Sequence, residues 1–336
     1  TAIGASSAST GAFTTLTATG ISTSTAGTSN FIAGVNAGNS ITSGGNYNVT
    51  VGDEAGTAIT TGDSNIAIGF EALKTEDTNS FNVAIGHQAL KVNNGGDANV
   101  AIGYTALASN TTANNNVAIG NGSMNANTTG TLNVGVGTGS LELNTTGADN
   151  TAIGTQALAS NTTASFNTAV GKSALGANTT GANNVAVGEV ALQANTTASN
   201  NTAVGVSALG ANTTGEYNTA LGRAAGAAVT TGADNTIVGS LAGDAITTGT
   251  GNTVVGKSAL TSNTVASGNT AIGQAAMKEN TLSAFNVSVG KNSLRNLNHT
   301  TATNAYNVAV GNEAGQGITT GIRNTLMGGE AGDSLT

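Results

Sequence analysis

Asn178-Thr179-Thr180-Gly181-Ala182-Asn183-Asn184-Val185-Ala186-Val187-Gly188-Glu189-Val190-Ala191-Leu192-Gln193-Ala194 is one phrase of 17 residues, and the chain repeats its pattern from about residue 30 onward. The glycine in it recurs at Gly52, Gly69, Gly86, Gly103 and Gly120 and keeps that spacing to Gly290. Gly34 precedes the run by 18 residues, and Gly311 and Gly328 follow it after one spacing of 21. Eighteen copies thus fill most of 336 residues. A short fixed period describes units that cannot bury an apolar face alone and must stack, so the architecture expected is a solenoid.

Positions are best counted from that glycine. Four residues before it stands Asn in all 18 copies, and the residue just before it is a large aliphatic in 17, Ala33 being the exception. Three residues after it is always Ala or Ser, and four after it is Leu, Met or Gly. A coil of this length is too short for two helices but suits short strands and turns. The fold class expected is therefore all-β, a parallel β-solenoid or β-roll of 17-residue coils. Asn184 to Val187 reads as one strand from its β-branched residues. Ala191 to Ala194 is expected to be a second, with Asn178-Thr179-Thr180-Gly181 as a turn. Stacked at about 4.8 Å per coil, eighteen coils make a rod of roughly 85 Å.

The column of asparagines has a physical reading. An amide carries both donors and an acceptor, so at a coil corner it can bond its own coil and the next Asn along the stack. Asn82, Asn99, Asn116, Asn150, Asn184 and Asn218, with Gly86, Gly103, Gly120 and Gly188, represent this structural ladder. The alternative, an exposed turn-former, would accept Asp, Gly or Ser in some copies.

A second pattern concerns volume. Twelve copies carry Leu or Met four residues after the glycine; six carry Gly instead, at Gly38, Gly56, Gly226, Gly243, Gly315 and Gly332. In those six, the residue three further on is Ile41, Ile59, Val229, Ile246, Ile318 or Leu335. In the other twelve it is Asn in ten, with Glu76 and Leu297 the exceptions. A lost side chain is replaced within its own coil, as a narrow packed core requires. The core expected from this is the aliphatic before the glycine plus the Leu or Ile partner. Ala186 then points the other way from Val185 and Val187. Because its column is Ala in 11 copies and rarely polar, it reads as a face covered by a neighbouring chain, which implies a homo-oligomer.

Composition narrows the functional classes. There are 9 Lys+Arg against 17 Asp+Glu, so the chain lacks the basic excess of a nucleic-acid binder. Ten aromatic residues are too few for base-stacking platforms, and there is no Pro, Cys or Trp. Absent cysteine removes thiolate chemistry and Cys-type zinc sites. No apolar run approaches the roughly 20 residues that span a bilayer, so no membrane insertion of this segment is expected. The chain begins at Thr1 and stops inside a repeat, which suggests a piece of something longer.

Candidate chemistry is sparse, and no catalytic, cofactor-binding or metal-ligating residue is expected. Glu54 and Glu71 share one repeat position in successive coils, as do Glu313 and Glu330. Stacking sets each pair about 5 Å apart, near retaining-glycosidase spacing, but stacking alone produces that distance. His87 sits beside a strand end. His299 lies in the one four-residue insertion, within residues 295–304, near Lys291 and Arg295. A loop interrupting a regular repeat is a candidate receptor contact, through Arg295 and His299. Thr111, Thr128, Thr145, Thr162, Thr179, Thr196 and Thr213 would form an outward ladder, which leaves an ice-binding solenoid as a minor alternative.

The motif Asn-Val-Ala-Ile-Gly-x-x-Ala/Ser, as at Asn82 to Ala89 and Asn116 to Ser123, resembles the head repeats of trimeric autotransporter adhesins of the YadA type. The likeness covers about residues 30–336. It implies a left-handed parallel β-roll wound as a homotrimer; handedness comes from the resemblance alone, since crossover statistics favour the right hand. The coil here is longer than in those heads, carries an Asn-Thr-Thr-Gly turn, and has Leu where they often repeat Ser-x-Ala. Residues 1–29, with Ile3-Gly4-Ala5-Ser6-Ser7 and Gly11 to Gly20, resemble segments of phage tail fibres and read as an N-terminal joint. Together the resemblances imply a non-enzymatic, extracellular tail-fibre segment for host attachment. Its partners would be itself, an upstream fibre or attachment domain, and a host-surface receptor such as a glycan. A bacterial cell-surface adhesin or extracellular filament is the alternative.

Overall fold

The computed structural model describes residues 26–75 and 77–335, together with the backbone of Ile21 and Ser22. The segments expected to form the N-terminal joint lie largely outside the described residues, as does Glu76.

The described chain is a parallel β-solenoid without a helix. Eighteen three-residue strands, from Phe31–Ala33 to Thr325–Met327, stack in register in one sheet. Val185–Val187 pairs with Thr168–Val170 on one side and Thr202–Val204 on the other, residue for residue at a 17-residue offset. The offset stretches to 21 between Val287–Val289 and Val308–Val310, so the insertion is absorbed without loss of register. A small two-stranded sheet, Ser283–Ala284 with Thr303–Asn304, braces that insertion. At the other end Ile21–Ser22 adds an antiparallel edge to Phe31–Ala33.

Each coil has one strand of the main sheet, not the two expected. Ala191 to Ala194 is a pair of turns: Ala191 N–H donates to Gly188 O at 3.3 Å, and Asn195 N–H to Leu192 O at 3.1 Å. Leu192 N–H still bonds the next coil, at Ala208 O, 3.0 Å away. Closing a coil in 17 residues demands this reversal, and it is achieved by left-handed backbone at Val190 (φ 52°) and Leu192 (φ 48°). Such φ values are uncommon for branched residues, so sequence propensity points away from them.

The glycine column is fixed by close approach. Gly188 has φ 134°, and a Cβ built on it would lie 2.5 Å from Gly205 O of the next coil. The same contact recurs at Gly86, Gly103 and Gly120, at 2.4 to 2.6 Å.

The inside and outside of the strand are the reverse of the sequence expectation. Ala186 is fully buried in its own chain, whereas Val185 and Val187 are half-buried and face outward. The core is a single cluster of the mid-strand residue, the Ala after the glycine, and the Leu or Met beside it, for instance Ala186, Ala191 and Leu192. The interior is so narrow that small side chains fill it, while the larger β-branched ones are turned out. The volume exchange is real and involves these same columns. A Cβ on Gly243 would stand 2.8 Å from Ile246 Cδ1, and one on Gly226 2.8 Å from Ile237 Cδ1.

Candidate functional site

Two ladders of amides line the interior. In the first, Asn184 Nδ2 donates to Ala198 O at 2.9 Å, and its Oδ1 accepts the backbone N–H of Asn201 at 3.0 Å. The same donation to a carbonyl 14 residues on is made by Asn82, Asn99, Asn116, Asn150 and Asn218, all buried. The second ladder is the Asn of the Asn-Thr-Thr-Gly turns. Asn195 Nδ2 donates to Asn178 Oδ1 at 2.8 Å and to Ala198 O at 3.0 Å. Sequence reasoning took this residue for part of a surface turn. Its alternation with buried Ile and Val was the signal that it, too, points inward. The neighbouring threonines are half-buried, and each hydroxyl from Thr111 to Thr213 donates to the carbonyl of the next coil, as Thr179 does to Thr196 O at 3.0 Å.

Among the described residues, the outward strand face and its borders carry most of the exposed large hydrophobic side chains. Of the 21 large hydrophobic residues exposed among the described residues, seventeen stand on it or on its two borders, so exposure is concentrated. Ile119, Ile153, Leu221, Ile272 and Met327 occupy the column just before the glycine. One border, five residues before the glycine, carries Tyr47, Phe81, Leu132, Phe166, Tyr217, Phe285 and Tyr306. At the other border Phe70, His87 and Tyr104 stack in successive coils, with ring centroids 5.3 Å apart at each step.

Charged groups gather along a groove formed by the two turns after the glycine. Near the N-terminal end Lys74 Nζ lies 2.5 Å from Glu54 and 2.8 Å from Glu71, and Lys91 Nζ lies 2.7 Å from Glu71. Hydrogen bonds from Lys74, Lys91 and Gln88 pull the Glu71 carboxyl down to about 2 from its ordinary 4.5. The Glu54–Glu71 spacing is thus a charge ladder with Lys74 between its members. Of the second carboxylate pair, Glu313 accepts a bond from Asn292 Nδ2 at 3.3 Å.

The same groove opens further along the rod. A neutral stretch of it, about 270 Å³, is lined by Gln156, Ser160, Ser173, Gly176 and Gln193. Beyond it a second opening of about 330 Å³ is lined by Lys257, Lys278, Lys291 and Arg295. Arg295 therefore lies at an accessible, polar surface. His299 does not: it is 8 % exposed, and both ring nitrogens are engaged. Nε2 donates to Thr320 O at 3.0 Å, which leaves Nδ1, 2.6 Å from Ser283 Oγ, to accept in the neutral ring. The histidine pins the insertion to the coils on either side.

A scan against protein-family models matches none, and a search of curated proteins finds no significant relative. Among the described residues no group of three or more His, Asp or Glu side chains is placed to hold a metal ion. No helix there is long and apolar enough to cross a membrane. What the arrangement offers is a rigid rod, an apolar strip along it, and a groove whose charge changes along its length.

Proposed function

We propose that the chain is a structural and adhesive segment of an extracellular fibre, in which copies associate through the outward strand face. The observation that carries this is the concentration of exposed aliphatic and aromatic side chains on that face. A strand face about 10 Å wide and roughly 80 Å long offers about 800 Å² by standard strand geometry. That equals the area each partner contributes to a stable protein interface, about 800 Å². Soluble chains rarely leave so long an apolar strip open to water.

The resemblance to YadA-type heads supplies the rest of the proposal: a left-handed homotrimer that holds a receptor-binding region away from its base. The tail-fibre-like N-terminal segment favours a virion fibre over a cell-surface adhesin. The Ala column plays no part in association, because it is consumed by the core. Lysines at Val187, Val204 and Leu221 should turn the assembly into monomers while leaving the circular dichroism spectrum unchanged. An assembly of unaltered mass would overturn the assignment of this face.

A further inference from the structure

Within each coil the residue two after the glycine and the residue five after it face one another across the turn groove. At the N-terminal end these are Glu54 and Glu71 in the first column and Lys74 and Lys91 in the second. Every lysine there meets a carboxylate of its own coil or of the coil before. At the C-terminal end the second column again holds cations, Lys278 and Arg295, but the first now holds Ser258, Ala275 and Asn292. The carboxylates are missing, and two further cations, Lys257 and Lys291, stand exposed at the groove's other edge. Four of the chain's nine basic residues thus converge on one opening of about 330 Å³ in a protein of net charge −8. Among the described residues, the only ion pair any of the four makes is between Lys278 and Glu279, at 3.5 Å.

We infer that this opening binds a carboxylate-bearing oligosaccharide, whose acidic groups take the places that Glu54 and Glu71 occupy at the other end. The backbone at the two ends is the same: Glu71 and Ala275 both have φ 55°. The internal carboxylates therefore mark where an external one sits, bridged by the cation of its own coil and that of the next. Successive coils repeat these sites about every 4.8 Å. An extended glycan with acidic sugars can follow such a row. Gln274 and Asn292 add neutral hydrogen-bonding groups of the kind that read sugar hydroxyls. The patch spans only three coils and is bordered by Asp244, Glu279 and Glu313, which confines it to a few sugar units and repels a long polyanion. This deepens the host-contact part of the proposed function by giving that contact a chemistry.

The test is titration of the full chain with hexagalacturonate at low salt, beside neutral galactohexaose and a single-stranded DNA dodecamer. The uronate should bind, the neutral sugar should not, and added salt should weaken binding through screening. Lys291→Gln with Arg295→Gln should weaken it by about tenfold or more, whereas Lys172→Gln, on a lysine paired with Glu189 and five coils from Lys257, should not. Ala275→Glu restores the internal carboxylate and should block binding while leaving the fold intact by circular dichroism. Equal binding by Ala275→Glu, tighter binding of DNA, or no uronate binding would each overturn the inference. None of these outcomes bears on whether the chain self-associates, which the mass of the particle decides.

Discussion

Asn184 and Asn195, eleven residues apart, donate to one acceptor, the carbonyl of Ala198, at 2.9 and 3.0 Å. The first ladder and the second thus meet at a shared oxygen in every such coil, and each amide is also tied to a neighbouring coil. Removing either amide leaves buried groups of the other coil unpaired. Asn184→Ala and Asn195→Ala should each cost about 1–3 kcal/mol in a denaturant melt. Because they share a partner, the double variant should depart from the sum of the singles. A change within about 0.3 kcal/mol for Asn184→Ala would contradict a buried ladder.

Asn263 tests the same idea from the opposite side. It occupies the second ladder's column but follows Ile246, and its buried amide makes no hydrogen bond through either Nδ2 or Oδ1. With no partner to lose, Asn263→Ala should be close to neutral, in contrast to Asn195→Ala. Equal losses at the two positions would show that the column acts through packing rather than hydrogen bonds.

The exchange between Gly243 and Ile246 predicts a rescue. Gly243→Leu drives a side chain into Ile246, since even a Cβ there meets Cδ1 at 2.8 Å. Overpacking of this kind costs about 1–3 kcal/mol. Combining it with Ile246→Asn recreates the pairing of Leu192 with Asn195 and should recover part of the loss, the remainder being contact with Ile237, whose Cδ1 lies 3.5 Å from that Cβ. The backbone is no obstacle, because Gly243 (φ 51°) and Leu192 (φ 48°) share one conformation. A double variant no more stable than Gly243→Leu would refute the exchange.

Glu71 should give the rod an acid-sensitive end. Its carboxyl is lowered from 4.5 to about 2, chiefly by hydrogen bonds from Lys74, Lys91 and Gln88. A depressed carboxylate adds stability that is complete above the ordinary value and fades as pH falls from about 4.5 to about 2. Wild type should therefore melt higher than Glu71→Gln at pH 7, and the gap should close near pH 2. A gap that stays constant across that range would assign the effect of Glu71 to packing instead.

Much of this architecture can be read in the chain itself. The period, the Gly188-type column and the Asn184-type column follow from spacing, and the Gly243–Ile246 exchange follows from volume conservation. Which face of the strand is inside does not, because Ala186 and Val187 are both apolar and hydrophobicity alone cannot rank them. The information was present in the larger mid-strand residues. The three largest, Ile32, Ile237 and Leu326, fall in coils whose later position is Gly38, Gly243 and Gly332, which places both columns in one core. The turn at Val190 and Leu192 was hidden for another reason: branched residues are held at positive φ by inter-coil bonds that local propensity does not contain. The burial of His299 likewise depends on Ser283 and Thr320, which approach it only once the coils stack.

The central functional claim is that the outward strand face is covered by further copies of the same chain. Sedimentation equilibrium at micromolar concentration tests it most directly. The account predicts a particle of three times 32.2 kDa, with no monomer at the concentrations of a melt. A stable, monodisperse monomer of 32.2 kDa would contradict it and leave the apolar strip without an occupant.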